Sequence, residues 1–151
     1  MQRKHYSISI HAPREKVWDV MLSDATYREW TKVFHDGSFF KGDWEQGSKM
    51  LFIGPDPEGG PDMGMIAYVR ENRHPEFISL EHVGMVKGDE EDTTSEDVKK
   101  WTPAFENYTF TEIDGGTTVD IEIDVNEEYE SMFEEMWPKA LERLKELVEG
   151  E

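Results

Sequence analysis

The chain of 151 residues contains no cysteine. That excludes disulfides, zinc held by thiolates, and a cysteine nucleophile. Positive charge is also scarce, with 16 Lys plus Arg against 34 Asp plus Glu and a formal net charge of −18. A chain this acidic repels phosphate, so no nucleic acid and no anionic membrane surface is expected as a partner. Long apolar runs are missing too. Nothing approaches the roughly 18 consecutive apolar residues of a membrane helix, and Met1 to His11 lacks the apolar stretch of a secretory signal. The expectation is a cytoplasmic protein, with which the absence of cysteine is compatible.

Several catalytic and ligand motifs are absent as well. The five histidines, His5, His11, His35, His74 and His82, contain no pair at helical i,i+4 spacing. The acidic run Asp89 to Asp92 fails as a calcium loop, because positions six and twelve counted from Asp89 are Thr94 and Lys100 instead of Gly and Glu. No metal is therefore expected. The glycines between Gly54 and Gly64 lack the Gly-Lys-Ser/Thr of a phosphate loop, and no serine lies in G-x-S-x-G. No cofactor is indicated.

What is present is a pattern of one soluble domain, residues 1–151, with 36% hydrophobic residues. Tyr6, Ile8 and Ile10 alternate as a strand, and Pro13 then opens a helix carrying Val17, Val20 and Met21. Ser23 or Asp24 caps a second short helix from Ala25 to about Lys32. Six further strands are predicted: Ser38 to Lys41, Ser48 to Gly54, Met65 to Asn72, Phe77 to Lys87, Phe105 to Ile113 and Thr117 to Asn126. Short turns join several of them, the clearest being Asp114-Gly115-Gly116, so antiparallel neighbours are expected. In the last strand Val119, Ile121, Ile123 and Val125 face the core, and Asp120, Glu122 and Asp124 face water. Glu127 to Glu149 reads as a long amphipathic helix in which Pro138 predicts a kink or a break. Gly54 to Gly64 and the acidic Gly88 to Lys100 read as loops, with a helical turn starting near Ser95.

Two titratable residues fall on the inward parity of their strands. His82 shares the face of Ile78 and Leu80, and Glu106 that of Tyr108 and Phe110. Either is explained plainly, as a satisfied core histidine and a carboxylate at a strand's exposed end; either also suits proton transfer. The chain is rich in aromatic residues and in Met, with five Trp, eight Phe, five Tyr and eight Met. Such residues fill cores, and Met also lines adaptable binding cavities. Strand and helix parity puts Trp30, Phe52, Tyr68, His82, Tyr108, Phe110, Met132, Met136 and Trp137 on the facing sides of sheet and terminal helix, as a packed core or as the wall of a mainly apolar cavity.

The order strand, two short helices, six strands and a long helix resembles the helix-grip fold. The segment Ser7-Ile8-Ser9-Ile10-His11-Ala12-Pro13-Arg14-Glu15-Lys16-Val17-Trp18-Asp19-Val20 is similar to the opening of SRPBCC (START-like) proteins. Trp30, Gly42-Asp43-Trp44-Glu45-Gln46-Gly47-Ser48, Asp114-Gly115-Gly116-Thr117-Thr118-Val119 and the tail Trp137 to Lys145 resemble later landmarks. Within that superfamily the chain most resembles the group related to the C-terminal domain of the activator of the heat-shock protein 90 ATPase. The resemblance implies an α+β fold with a seven-stranded curved antiparallel sheet gripping the terminal helix. It also implies binding of a small hydrophobic molecule without catalysis, with His82 and Tyr108 orienting the ligand. Two other functions occur among relatives of this kind. One is a polyketide cyclase or dehydrase activity, with His82 or Glu106 moving protons; the other is a co-chaperone-like module that meets a chaperone or another basic protein partner.

Overall fold

The computed structural model describes residues 2–150. Strand β1 (Gln2–Ile10) leads into α1 (Arg14–Leu22), α2 (Asp24–Trp30) and a 3-10 turn (Thr31–Val33). Then come β2 (Phe39–Lys41), β3 (Lys49–Gly54), β4 (Met63–Arg73), β5 (Phe77–Lys87), β6 (Glu90–Asp92), the short α3 (Glu96–Lys99), β7 (Ala104–Ile113) and β8 (Gly116–Val125). A second 3-10 turn (Glu127–Tyr129) precedes α4 (Glu130–Glu149). The strands form one antiparallel sheet in the order β1-β8-β7-β5-β4-β3-β2, with β6 attached to β5.

Seven strands on the continuous path are those the sequence predicts, and β6 is an addition. Glu90, Glu91 and Asp92 show no apolar alternation, so they read as loop. Their strand forms because β5 is longer than its neighbour: β7 pairs with β5 only from Phe77 to His82, and Met85 to Lys87 would otherwise be a bare edge. The chain turns at Gly88, whose φ is +59°, and lays Glu90–Asp92 along that edge. Ser95 then caps α3, its hydroxyl accepting from the Val98 amide at 3.2 Å.

The β7–β8 hairpin closes with positive φ at both Asp114 (50°) and Gly115 (83°), the two-residue turn whose twist matches that of the strands it joins. Along β8 the alternation holds, with Val119, Ile121, Ile123 and Val125 buried and the carboxylates of Asp120, Glu122 and Asp124 on the other side. The expected disruption at Pro138 is not a break. Pro138 lies inside a helix that runs from Glu130 to Glu149, on its exposed side, where the carbonyl that loses its amide partner can meet water.

Helix α4 lies along β1. Near its start Glu130 and Glu134 pair with Lys4, the latter at 3.1 Å; near its end Glu149 accepts from the His11 amide at 2.8 Å. Its buried stripe of Trp137, Ala140, Leu141, Leu144 and Val148 closes on the inner sheet face, together with α1 and α2. Burial along α4 is uneven. Residues 130–136 are exposed or half-buried, and full burial begins at Trp137. A smaller apolar cluster of Ile53, Ile66 and Val86 occupies the outer face.

Strand β1 is clamped to β8 and β7 through Asp124, which accepts from Arg3 Nε at 2.9 Å and from the Phe105 amide at 2.9 Å. Partial burial pushes the Asp124 carboxyl up, but these hydrogen bonds outweigh it and the net displacement is downward. A depressed carboxyl contributes stability above its unfolded value of about 4 and loses it as pH falls through the folded value. Asp124→Asn should therefore be less stable than the parent at neutral pH and show a shallower acid-side decline, read as urea midpoints across a pH series. Leu144, fully buried, should cost about 2–5 kcal/mol on truncation to Ala by the same measurement.

Candidate functional site

Three polar side chains meet on the inner sheet face. His82 projects from β5, and Glu106 and Tyr108 from the neighbouring β7, where Leu80 pairs with Glu106 and Ile78 with Tyr108. Even-numbered positions point inward along β7 and, on β5, as far as His82, so the three share one patch. His82 Nε2 lies 3.1 Å from Glu106 Oε1, and the Tyr108 hydroxyl donates to Glu106 Oε2. Burial, and then the nearby negative charge of Glu106, pushes the Tyr108 phenol well above its ordinary range. The same two causes raise Tyr27 on α2, which places its ring within the field of that carboxylate.

With both carboxylate oxygens engaged, Glu106 fixes the His82 ring and leaves Nδ1 directed elsewhere, buried and without a protein partner. In the neutral ring that donates from Nε2, Nδ1 is an acceptor and a base; protonated, it is a donor. The patch can thus bind a hydroxyl or amide group, or exchange a proton.

Aromatic rings surround it. Phe52 lies 5.8 Å from His82, Trp44 lies 5.6 Å from Phe52, and Tyr27 and Phe40 each pack within 6.3 Å of Trp44. On the helix side Trp137 meets Tyr108 at 6.4 Å, Tyr6 at 6.2 Å, Trp30 at 6.1 Å and Phe34 at 4.9 Å. Four buried polar atoms in this region have no protein partner: His82 Nδ1, the indole nitrogens of Trp44 and Trp137, and the Tyr6 hydroxyl.

Six of the nine residues expected to line a cavity lie around the patch, and three lie apart from it. Trp30, His82, Tyr108 and Trp137 are buried around the patch, Phe52 packs beside it, and Met136 is half-buried on α4. Phe110 is buried but sits under α1, 5.1 Å from Trp18 and four residues along β7 from Glu106. Tyr68 does not line the interior. It pairs with Lys49 and Glu81 on the outer face, with the Arg70 guanidinium 5.2 Å from its ring, because its neighbours Ala67 and Val69 take the buried positions of the inner face. Met132 is 39% exposed, since the first turns of α4 stand clear of the sheet.

Sequence parity missed Tyr27, Phe34, Phe40 and Trp44. The ring of Trp44 is placed by a left-handed backbone with φ of 64°, in a turn held by Asn72 donating to the Trp44 carbonyl at 2.8 Å. The two glycines framing that turn, Gly42 and Gly47, were the available signal.

Two open surface depressions, of about 360 and 410 Å³, lie elsewhere. The first runs between Ser9–His11, the β7–β8 hairpin and Lys145; the second borders Phe34, His35 and Pro55. Phe34 therefore stands between the second depression and Trp137. Among the described residues no group of three or more His, Cys, Asp or Glu is placed to hold a metal, and no helix is long and apolar enough to cross a membrane.

Comparison with known proteins places this geometry. No curated protein matches the chain in sequence. Solved structures share its fold: ChR145 from Cytophaga hutchinsonii has a TM-score of 0.72 at 18% identity, over 99% of this chain and 95% of that one. The AHSA1-like protein from Aeromonas hydrophila has a TM-score of 0.69 at 16% identity, over 97% and 93%. The Aha1 dimer from Colwellia psychrerythraea has a TM-score of 0.70 at 15% identity, over 98% and 96%. The model of the family described as activator of Hsp90 ATPase homolog 1-like protein matches residues 11–149. From His11, just after β1, to the end of α4 the match is continuous, and the chain belongs to that family.

Proposed function

We propose that this protein binds a small, mainly apolar molecule between the inner sheet face and the first half of α4, with the molecule's polar group at the His82–Glu106–Tyr108 patch. The observation that carries the reading is the concentration of unpartnered buried polar atoms on His82, Trp44, Trp137 and Tyr6 within an aromatic wall. Such an atom costs about 1–3 kcal/mol when left unpaired, and a ligand carrying a donor and an acceptor would relieve several at once. Uneven burial of α4 supports the same reading: the helix is anchored from Trp137 onward, and its lightly packed start, with Phe133 against Phe34 at 6.2 Å, is the natural side of entry. START-like folds commonly bind hydrophobic ligands, which agrees with this use of the interior.

The expected result is that an environment-sensitive hydrophobic dye binds the parent protein and binds Met136→Trp more weakly while that variant keeps its fold. Unchanged dye binding in a stably folded Met136→Trp would reject this interior as the site. A loss of about 1–3 kcal/mol of stability on the same substitution would identify a solid core instead.

The contact between His82 and Glu106 favours a second reading, proton transfer to or from the bound molecule. In it His82 Nδ1 takes a proton from a carbon next to a carbonyl while Glu106 holds the ring. An aryl methyl ketone in D₂O should then lose its α-proton NMR signal faster with the parent than with His82→Gln. Equal exchange rates would leave binding alone.

A further inference from the structure

The inner sheet face continues beyond the helices. In the pairing across β3, β4, β5 and β6, Phe52, Met65, Met85 and Asp92 form one row, and Gly54, Met63, Lys87 and Glu90 form the next. Directly paired residues share a face, so Met63, Met65 and Met85 lie side by side next to Phe52, which packs on the main core. Met63 is 36% exposed and Met85 38%. Large apolar residues this open are few among the described residues, and here two share one patch.

The surroundings of the patch are predominantly acidic. The β3–β4 connection holds Asp56, Glu58 and Asp62 with no Lys or Arg, and residues 88–100 add Asp89, Glu90, Asp92, Glu96 and Asp97 against Lys99 and Lys100, while Glu91 turns to the outer face and pairs with Lys49 at 2.8 Å. Lys87, within the second row, is the one cation of the two rows. Methionine adapts its shape to whatever apolar surface covers it. The three strands carrying the patch span about 10 Å at ordinary strand spacing, close to the width of one helix.

We propose that this methionine patch is a docking surface for a basic amphipathic helix of another protein, its apolar side on Met63, Met65 and Met85 and its Lys or Arg residues against the acidic rim. Charge complementarity selects this occupant. A second copy of the chain carries the same −18 and repels, and an anionic lipid surface is repelled for the same reason. The proposal goes beyond ligand binding in the interior and does not rest on it.

The test uses the whole protein and an amphipathic Leu/Lys helical peptide labelled for fluorescence anisotropy, with a scrambled peptide of the same composition as control. The amphipathic peptide should bind about tenfold more tightly than the scrambled one, a difference of about 1.4 kcal/mol. Met63→Ser/Met85→Ser and Asp89→Lys/Glu90→Lys should each weaken it about tenfold while keeping the parent's thermal midpoint, since all four side chains are exposed. Methyl NMR of the unaltered protein should show the Met63, Met65 and Met85 signals moving on titration. Equal binding of the scrambled peptide would reduce the effect to charge and overturn the proposal. So would parent-like binding by either double variant, or stationary signals at those three methionines.

Discussion

The indole of Trp137 is the joint on which both layers of this protein depend. Four rings reach it from four separate parts of the chain: Tyr6 on β1, Trp30 on α2, Phe34 in the segment after α2, and Tyr108 on β7. Each brings a large apolar area, and the tilted and edge-on geometries add the quadrupolar attraction of aromatic pairs. On the C-terminal side of Trp137 the helix is committed to the core through Ala140, Leu141, Leu144 and Val148. On its N-terminal side α4 is held by the ion pairs of Lys4 with Glu130 and Glu134, which in water are weak, and by the half-buried Phe133 against Phe34. One residue thus divides the helix into a fixed part and a looser part, and the polar patch lies beside that division.

A buried carboxylate is costly unless its oxygens are satisfied, and Glu106 meets that condition with groups from two strands. The arrangement is stable as an internal network. It also leaves one nitrogen of His82 uncommitted, because an imidazole cannot turn both nitrogens toward one carboxylate. That uncommitted nitrogen separates a merely satisfied core histidine from one that can meet a guest.

Much of this was legible from residues that answer to one neighbour only. The β8 alternation of Val119 to Val125 needs nothing beyond a core on one side and water on the other, and the α4 stripe needs only helical periodicity. His82, Glu106 and Tyr108 were placed on inner faces by parity, yet their mutual contacts depend on the cross-strand register of β5 and β7, which no single strand encodes. Tyr68 is misplaced because β4 is apolar on both parities, with Met65, Ala67 and Val69 on one and Ile66 and Tyr68 on the other, so its alternation alone does not say which face is inner. Trp44 was missed as part of the wall because a positive φ, invisible to periodicity, aims its ring. Strand β6 reads as loop in the sequence because it owes its existence to the unequal lengths of β5 and β7 rather than to its own residues.

That short strand has a colloidal consequence. Glu90, Glu91 and Asp92 occupy the one place where the middle of the sheet would otherwise offer bare amides and carbonyls to a passing chain. A colliding copy arrives with the same carboxylates, so the two repel before their backbones can pair. Dissolved salt shortens that repulsion, from a range of about 10 Å at 0.1 M to about 3 Å at 1 M. Concentrated solutions of this protein should owe their clarity to low ionic strength as much as to the fold itself.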